Sequence, residues 1–105
     1  MREKDIEAYL VKSIKALGGE VRKVKWIGRN SAPDRLVMLP VQNGIGTGLW
    51  QDTTIWVELK NPETILTFPA NARERAQARE HTRMRKMGQR VVVIGTLEGV
   101  EALLS

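Results

Sequence analysis

The chain has no cysteine, and its 105 residues include one phenylalanine, one tyrosine and one histidine. Without cysteine there is no disulfide framework, no thiolate metal site and no cysteine nucleophile. No apolar run approaches the roughly 18 residues needed to span a bilayer, so no membrane partner is expected. Met1-Arg2-Glu3-Lys4-Asp5 leads into an amphipathic segment rather than an apolar h-region, so a signal peptide is not expected and a cytoplasmic location fits. Low-complexity tracts, internal repeats and obvious linkers are also missing. What is there is 42% hydrophobic residues, enough to bury a small core and too many for a disordered chain. The length is near the commonest domain size, so residues 1–105 read as one domain. Seventeen Lys and Arg against twelve Asp and Glu give a net charge of +5, which points to a polyanionic partner, with nucleic acid foremost.

Periodicity sets the expected elements. Ile6, Leu10, Ile14 and Leu17 recur at helical spacing and predict a helix over 4–17, stopped by Gly18-Gly19. Glu7 falls about 20° from Ile14 around that helix, at the edge of the apolar stripe. Glu20–Ile27 reads as a first strand and Arg35–Leu39 as a second, ended by Pro40. Residues 41–53, with Gly44, Gly46 and Gly48, read as a long hairpin loop. Thr54–Lys60 reads as a third strand, rich in β-branched and aromatic residues. A helix is expected over 71–87, with Asn71 as N-cap and Gly88 as C-cap. A valine-rich strand over 90–94 and a short helix capped by Thr96 complete the order α-β-β-β-α-β-α. The β-α-β step from Thr54 to Ile94 predicts a parallel crossover, hence an α/β sandwich with a mixed central sheet.

Chemistry concentrates at two strand ends. Pro33-Asp34 opens one strand and Glu58-Leu59-Lys60 closes the next. Side chains alternate along a strand, so Glu58 and Lys60 share a face while Leu59 turns to the core. Antiparallel pairing can then bring Asp34 beside them. Two carboxylates and a backbone carbonyl are hard oxygen ligands suited to Mg²⁺ or Mn²⁺. A lysine beside such a cation can orient a water or stabilise charge on a phosphorane. Either motif alone is usually structural, Pro-Asp as a turn and Glu-x-Lys as a solvated ion pair. Their combination in this order carries more.

The segments Gly28-Arg29-Asn30-Ser31-Ala32-Pro33-Asp34-Arg35-Leu36 and Trp56-Val57-Glu58-Leu59-Lys60, with Glu7 before them and Gln77 and Gly88 after, resemble the VRR-NUC domain, a branch of the PD-(D/E)xK nuclease superfamily. The resemblance covers nearly the whole chain and implies a restriction-endonuclease-like three-layer α/β sandwich. It implies that Asp34, Glu58 and the Leu59 carbonyl bind the metal, with Glu7 reaching it directly or through water. Lys60, Glu58, Asp34, Glu7 and Gln77 would form the catalytic set. Mg²⁺ is the implied cofactor, with Mn²⁺ able to substitute and no small-molecule cofactor required. Resemblance to the stand-alone, phage-type members implies a homodimer that cuts branched DNA such as a four-way (Holliday) junction, in the host cytoplasm if phage-encoded. The alternatives are a flap or single-strand nuclease, a catalytically silent nucleic-acid-binding module on the same fold, and a structural subunit of a larger complex.

The remaining charges suit a DNA backbone. Residues 71–87 carry Arg73, Arg75, Arg79, Arg83, Arg85 and Lys86 against Glu74 and Glu80. Arg73, Arg75, Arg79 and Arg83, with Lys25, Arg29 and Arg35 near Asp34, are the expected phosphate contacts, against the plainer reading of a solvated helix rich in arginine. Gln77 shares a helical stripe with Met84 and should face the sheet near Lys60. His81 reads as a surface residue, and the 44–48 glycines as a loop rather than a nucleotide cradle. Trp26, Trp50 and Trp56 look too scattered for a base-stacking platform. Trp56 reads as core, and Trp50 as a loop-end contact to DNA or a second subunit.

Overall fold

The computed structural model describes residues 1–40 and 53–105. Its elements are α1 (Glu3–Ala16), β1 (Glu20–Lys23), β2 (Arg35–Met38), β3 (Thr54–Leu59), α2 (Thr64–Thr67), α3 (Ala72–Lys86), β4 (Val91–Ile94) and α4 (Leu97–Leu104). The seven expected elements are present, and the four-residue α2 is added between β3 and α3. Trp50 and the three glycines of the expected hairpin loop lie outside the described residues.

The sheet runs in the order β1-β2-β3-β4. The first three strands pair antiparallel and β3 pairs parallel with β4, so the sheet is mixed. The first strand is shorter than the expected 20–27, and its register explains why. Lys23 pairs with Arg35, and the Val24 N–H still reaches the Asp34 carbonyl at 2.9 Å. The next hydrogen-bonded pair would set Trp26 against Ala32, beside Ser31, whose φ of 72° takes the chain out of the extended conformation, and the ladder stops there.

Helix ends follow local chemistry. The Asp5 carboxylate accepts the Arg2 N–H at 2.9 Å and closes the start of α1. The Asn71 side chain accepts from the Glu74 N–H, and Thr96 accepts from the Gly99 N–H, as caps should. Gly88, with φ of 83°, takes the left-handed turn that ends α3.

The two sheet faces differ in kind. Ile6, Leu10 and Ile14 of α1 and Val100 and Leu103 of α4 bury against Val37, Ile55, Val57 and Leu59. Each such side chain contributes roughly 1.5–3 kcal/mol by leaving water. Because Ile55, Val57 and Leu59 point into this core, alternation turns Trp56, Glu58 and Lys60 to the opposite face, where α3 lies. The buried residues of α3 are Glu74, Gln77, Glu80, His81 and Met84. One face therefore holds the apolar core and the other a largely polar interior, giving three layers: α1 with α4, the sheet, and α3. No helix among the described residues is long and apolar enough to cross a membrane.

Candidate active site

The β2–β3 register builds the site. Arg35 pairs with Val57, so the preceding residue, Asp34, falls opposite Glu58 where the ladder opens. Directly opposed residues of antiparallel strands share a face, so both carboxyls project toward α3. Asp34 does not continue the ladder. Its Oδ2 instead accepts the Leu59 N–H at 2.8 Å and fixes the carboxylate against the end of β3. The Lys60 N–H points the other way, to the Ile94 carbonyl at 2.8 Å. Alternation therefore sends both the N–H and the C=O of Leu59 toward Asp34. The loop leading to Asp34 holds Ser31 at φ 72°, the left-handed region that favours glycine.

Glu58 is 1% exposed. Burial, then a hydrogen bond and charge repulsion from Asp34, push its carboxyl up to about 9. Burial and the neighbouring Asp34 both disfavour a second negative charge at this place. A cation beside the two carboxyls would relieve that penalty. Two carboxylates and a carbonyl, with waters and substrate phosphate completing the shell, match what Mg²⁺ accepts. Among the described residues no group of three or more His, Asp or Glu side chains is placed to hold a metal ion together.

Lys60 lies on the same face, its Nζ 2.9 Å from Glu74 Oε2 and 3.1 Å from Gln77 Oε1. It also sits 5.0 Å over the Phe68 ring. Gln77 thus faces the sheet beside Lys60, where its helical stripe puts it. An open cleft of about 480 Å³ is lined by Asp34, Gln77, Arg73 and Ser31.

Several residues stand elsewhere than the sequence suggests. His81 is not on the surface. It is 1% exposed, stacks on Phe68 with ring centroids 6.0 Å apart, and has Nε2 3.2 Å from Glu58 Oε1. Burial, with help from the Arg85 charge, lowers its pKa to about 4, so it is neutral at physiological pH. Glu7 is half-buried and pairs with the Arg35 guanidinium. Arg35 also donates to the Asp34 carbonyl at 2.9 Å, so it braces the chain at the site. Arg29 is likewise engaged, with two bonds of 2.8 and 2.7 Å to buried Glu80. Arg73, Arg75 and Arg79 stay exposed on α3, as does Lys25 on the loop after β1. Arg83 is exposed too, 3.5 Å from Glu80. Arg79, Arg83 and Lys86 line a second open groove of about 450 Å³.

Trp56 is not core. It is half-buried on the α3 face and meets Trp26 edge-on, with centroids 6.3 Å apart. The two tryptophans that looked scattered are neighbours. The sequence reading also passed over Glu74, the nearer partner of Lys60, and Glu80. A signal for both Glu74 and His81 was present: residues 74, 77, 81 and 84 recur at spacings of three, four and three, one stripe of a helix.

No protein-family model matches the chain. The chain is 36% identical over 94 residues to "Putative nuclease p44" of Acyrthosiphon pisum secondary endosymbiont phage 1, across 90% of this chain and 83% of the phage protein. It is similar to a solved structure described as a "VRR_NUC domain", with a TM-score of 0.69 and 35% sequence identity, across 96% of this chain and 91% of the other.

Proposed function

Since the chain belongs to the VRR-NUC domain family, we propose that it is a nuclease, and specifically a Mg²⁺-dependent endonuclease that hydrolyses phosphodiester bonds in branched DNA. The observation that carries this reading is the opposition of Asp34 and Glu58 across the end of the β2–β3 ladder, with Lys60 on the same face.

Asp34 and Glu58 would hold the cation, with the Leu59 carbonyl on the same side and Glu7 reached through water. Mg²⁺, or Mn²⁺ in its place, supplies an activated water and neutralises phosphate charge when bound. The chain's own groups do the rest. Lys60 holds its ammonium beside Gln77 of the cleft wall, where it would stabilise charge on the phosphorane. Glu74 and Gln77 hold that ammonium in place and limit its rotamers. The backbone N–H of Leu59 fixes the Asp34 rotamer. His81, neutral and buried, orients Glu58. Arg73 at the cleft and the exposed arginines of α3 contact phosphates, which positions DNA without reading its sequence.

One site cuts one strand. Paired cuts in a symmetric junction need two, so we propose a two-fold homodimer. Sedimentation that gives a monomer at micromolar concentration, with and without junction DNA, would reject the dimer. Calorimetry tests the metal site. Mg²⁺ should bind the unaltered protein and not the Asp34→Asn variant, and equal uptake by both removes Asp34 from the ligand set.

A further inference from the structure

On the α3 face, beyond Glu58, lies an open groove of about 640 Å³ that the site above does not use. Trp26, Ile27, Trp56, Met84 and Met87 form its apolar surface. Ile27 is 98% exposed and Met87 57%, an unusual outlay of apolar surface on so polar a chain. The Trp56 indole N–H is satisfied by Gln89 at 2.9 Å, which leaves the rings as contact surface. The rim is cationic: Lys25, Arg29 and Arg83, with no acid in the lining. Behind it stands Glu80, the one carboxylate that Arg29 and Arg83 share. Three cations against one buried acid leave a positive rim.

We propose that this groove binds an unpaired nucleobase of the DNA substrate next to the cut, stacked on the tryptophan pair with its phosphates on the Lys25–Arg29–Arg83 rim. The proposal rests on the nuclease reading and narrows its substrate class to branched DNA with unpaired nucleotides at the branch. Aromatic rings bind bases without sequence preference, because every base has a π-face, and a flanking cation adds phosphate contact. A greasy surface ringed by positive charge suits that ligand and repels a basic partner. The spacing also fits. Gln77, at Lys60, and Met84, on the groove floor, are seven residues apart on α3, about 10.5 Å along the axis. That distance is roughly three nucleotides at the B-form rise of 3.4 Å per strand.

The test compares two labelled DNAs in Ca²⁺ without cleavage: a blunt duplex, and the same duplex with a single-stranded tail carrying 2-aminopurine at its third unpaired position. The readout is the ratio of the two affinities, which a general loss of binding does not move. The tailed DNA should bind about five- to 150-fold tighter, the range expected for stacking one base, and 2-aminopurine fluorescence should be quenched. Trp26→Ala should bring the ratio near one and restore the fluorescence, and Trp26→Phe should keep most of both. An unaltered ratio in Trp26→Ala, or no preference in the unaltered protein, overturns the groove assignment while leaving the nuclease reading intact. Failure to bind either DNA overturns the nuclease reading and this with it. If Trp26→Ala instead turns a dimer into a monomer at a constant ratio, the groove is an interface between copies and the proposal is wrong.

Discussion

Replacing Glu58 by glutamine should make the metal-free protein more stable at alkaline pH. Glu58 has an ordinary value of 4.5, and burial beside Asp34 raises it to about 9 in the fold. Between those values the folded chain holds a proton that the unfolded chain has released, so stability falls as pH rises. The slope is about 1.4 kcal/mol per pH unit. His81 works in the opposite direction, because its folded value of about 4 lies below the ordinary 6.5. Between those two values the unfolded chain holds the extra proton, and stability rises with pH. The two slopes offset each other from about 4.5 to 6.5, and above 6.5 Glu58 acts alone. From pH 6.5 to 8.5 the protein in EDTA should lose on the order of 3 kcal/mol. Glu58→Gln keeps a neutral side chain of the same shape, and its stability should be nearly flat over that window. Urea denaturation of both proteins at pH 6.5, 7.5 and 8.5 measures the difference. Saturating Mg²⁺ should flatten the slope of the unaltered protein, because a cation between the two acids replaces the proton. Parallel pH profiles for the two proteins in EDTA would refute the claim that Glu58 is held neutral by its burial and by Asp34.

Other expectations follow from single contacts. Leu10 is wholly buried between α1 and the sheet, so Leu10→Ala should lower unfolding free energy by about 2–5 kcal/mol in urea denaturation. Glu74→Ala should free the Lys60 ammonium from its nearer partner, lowering the cleavage rate while leaving duplex affinity within about twofold; an unchanged rate would show that Glu74 does not position Lys60. Arg79→Ala should weaken binding to all DNA sequences alike and reduce the slope of log affinity against log salt by about one, read by fluorescence anisotropy at several salt concentrations.

The sequence carried the sheet and its chemistry well, because both depend on short periods. Alternation at Glu58-Leu59-Lys60 told which side chains share a face, and the Asn71, Gly88 and Thr96 signals placed the caps of α3 and α4. What it did not carry was whatever depends on register or on partners far along the chain. The first strand stops early because its partner chain leaves the extended conformation at Ser31, a break invisible until β1 and β2 are aligned. His81 looked solvated because its helix is crowded with arginines, yet the stripe it shares with Gln77 and Met84 buries it on Glu58. Arg35 and Arg29 looked free of partners, but Glu7 and Glu80, 28 and 51 positions away, pair with them. Trp26 and Trp56 were separated by thirty residues and became neighbours only once the loop after β1 lay across β3. The inner face of α3 was legible at Gln77 and Met84, but polar residues at such spacing are usually solvent-facing, and His81 on the same stripe reads as surface.

The central claim, that Asp34, Glu58 and Lys60 form a metal-dependent hydrolytic site, is tested most directly by incubating labelled junction, flap, single-stranded and duplex DNA with the protein in Mg²⁺, Mn²⁺ or EDTA, beside Lys60→Ala. Mg²⁺ and Mn²⁺ should support cutting of branched DNA, EDTA should abolish it, and Lys60→Ala should bind the DNA yet cut it at least about a hundredfold more slowly. Cutting that persists in EDTA, or at full rate in Lys60→Ala, would contradict the account.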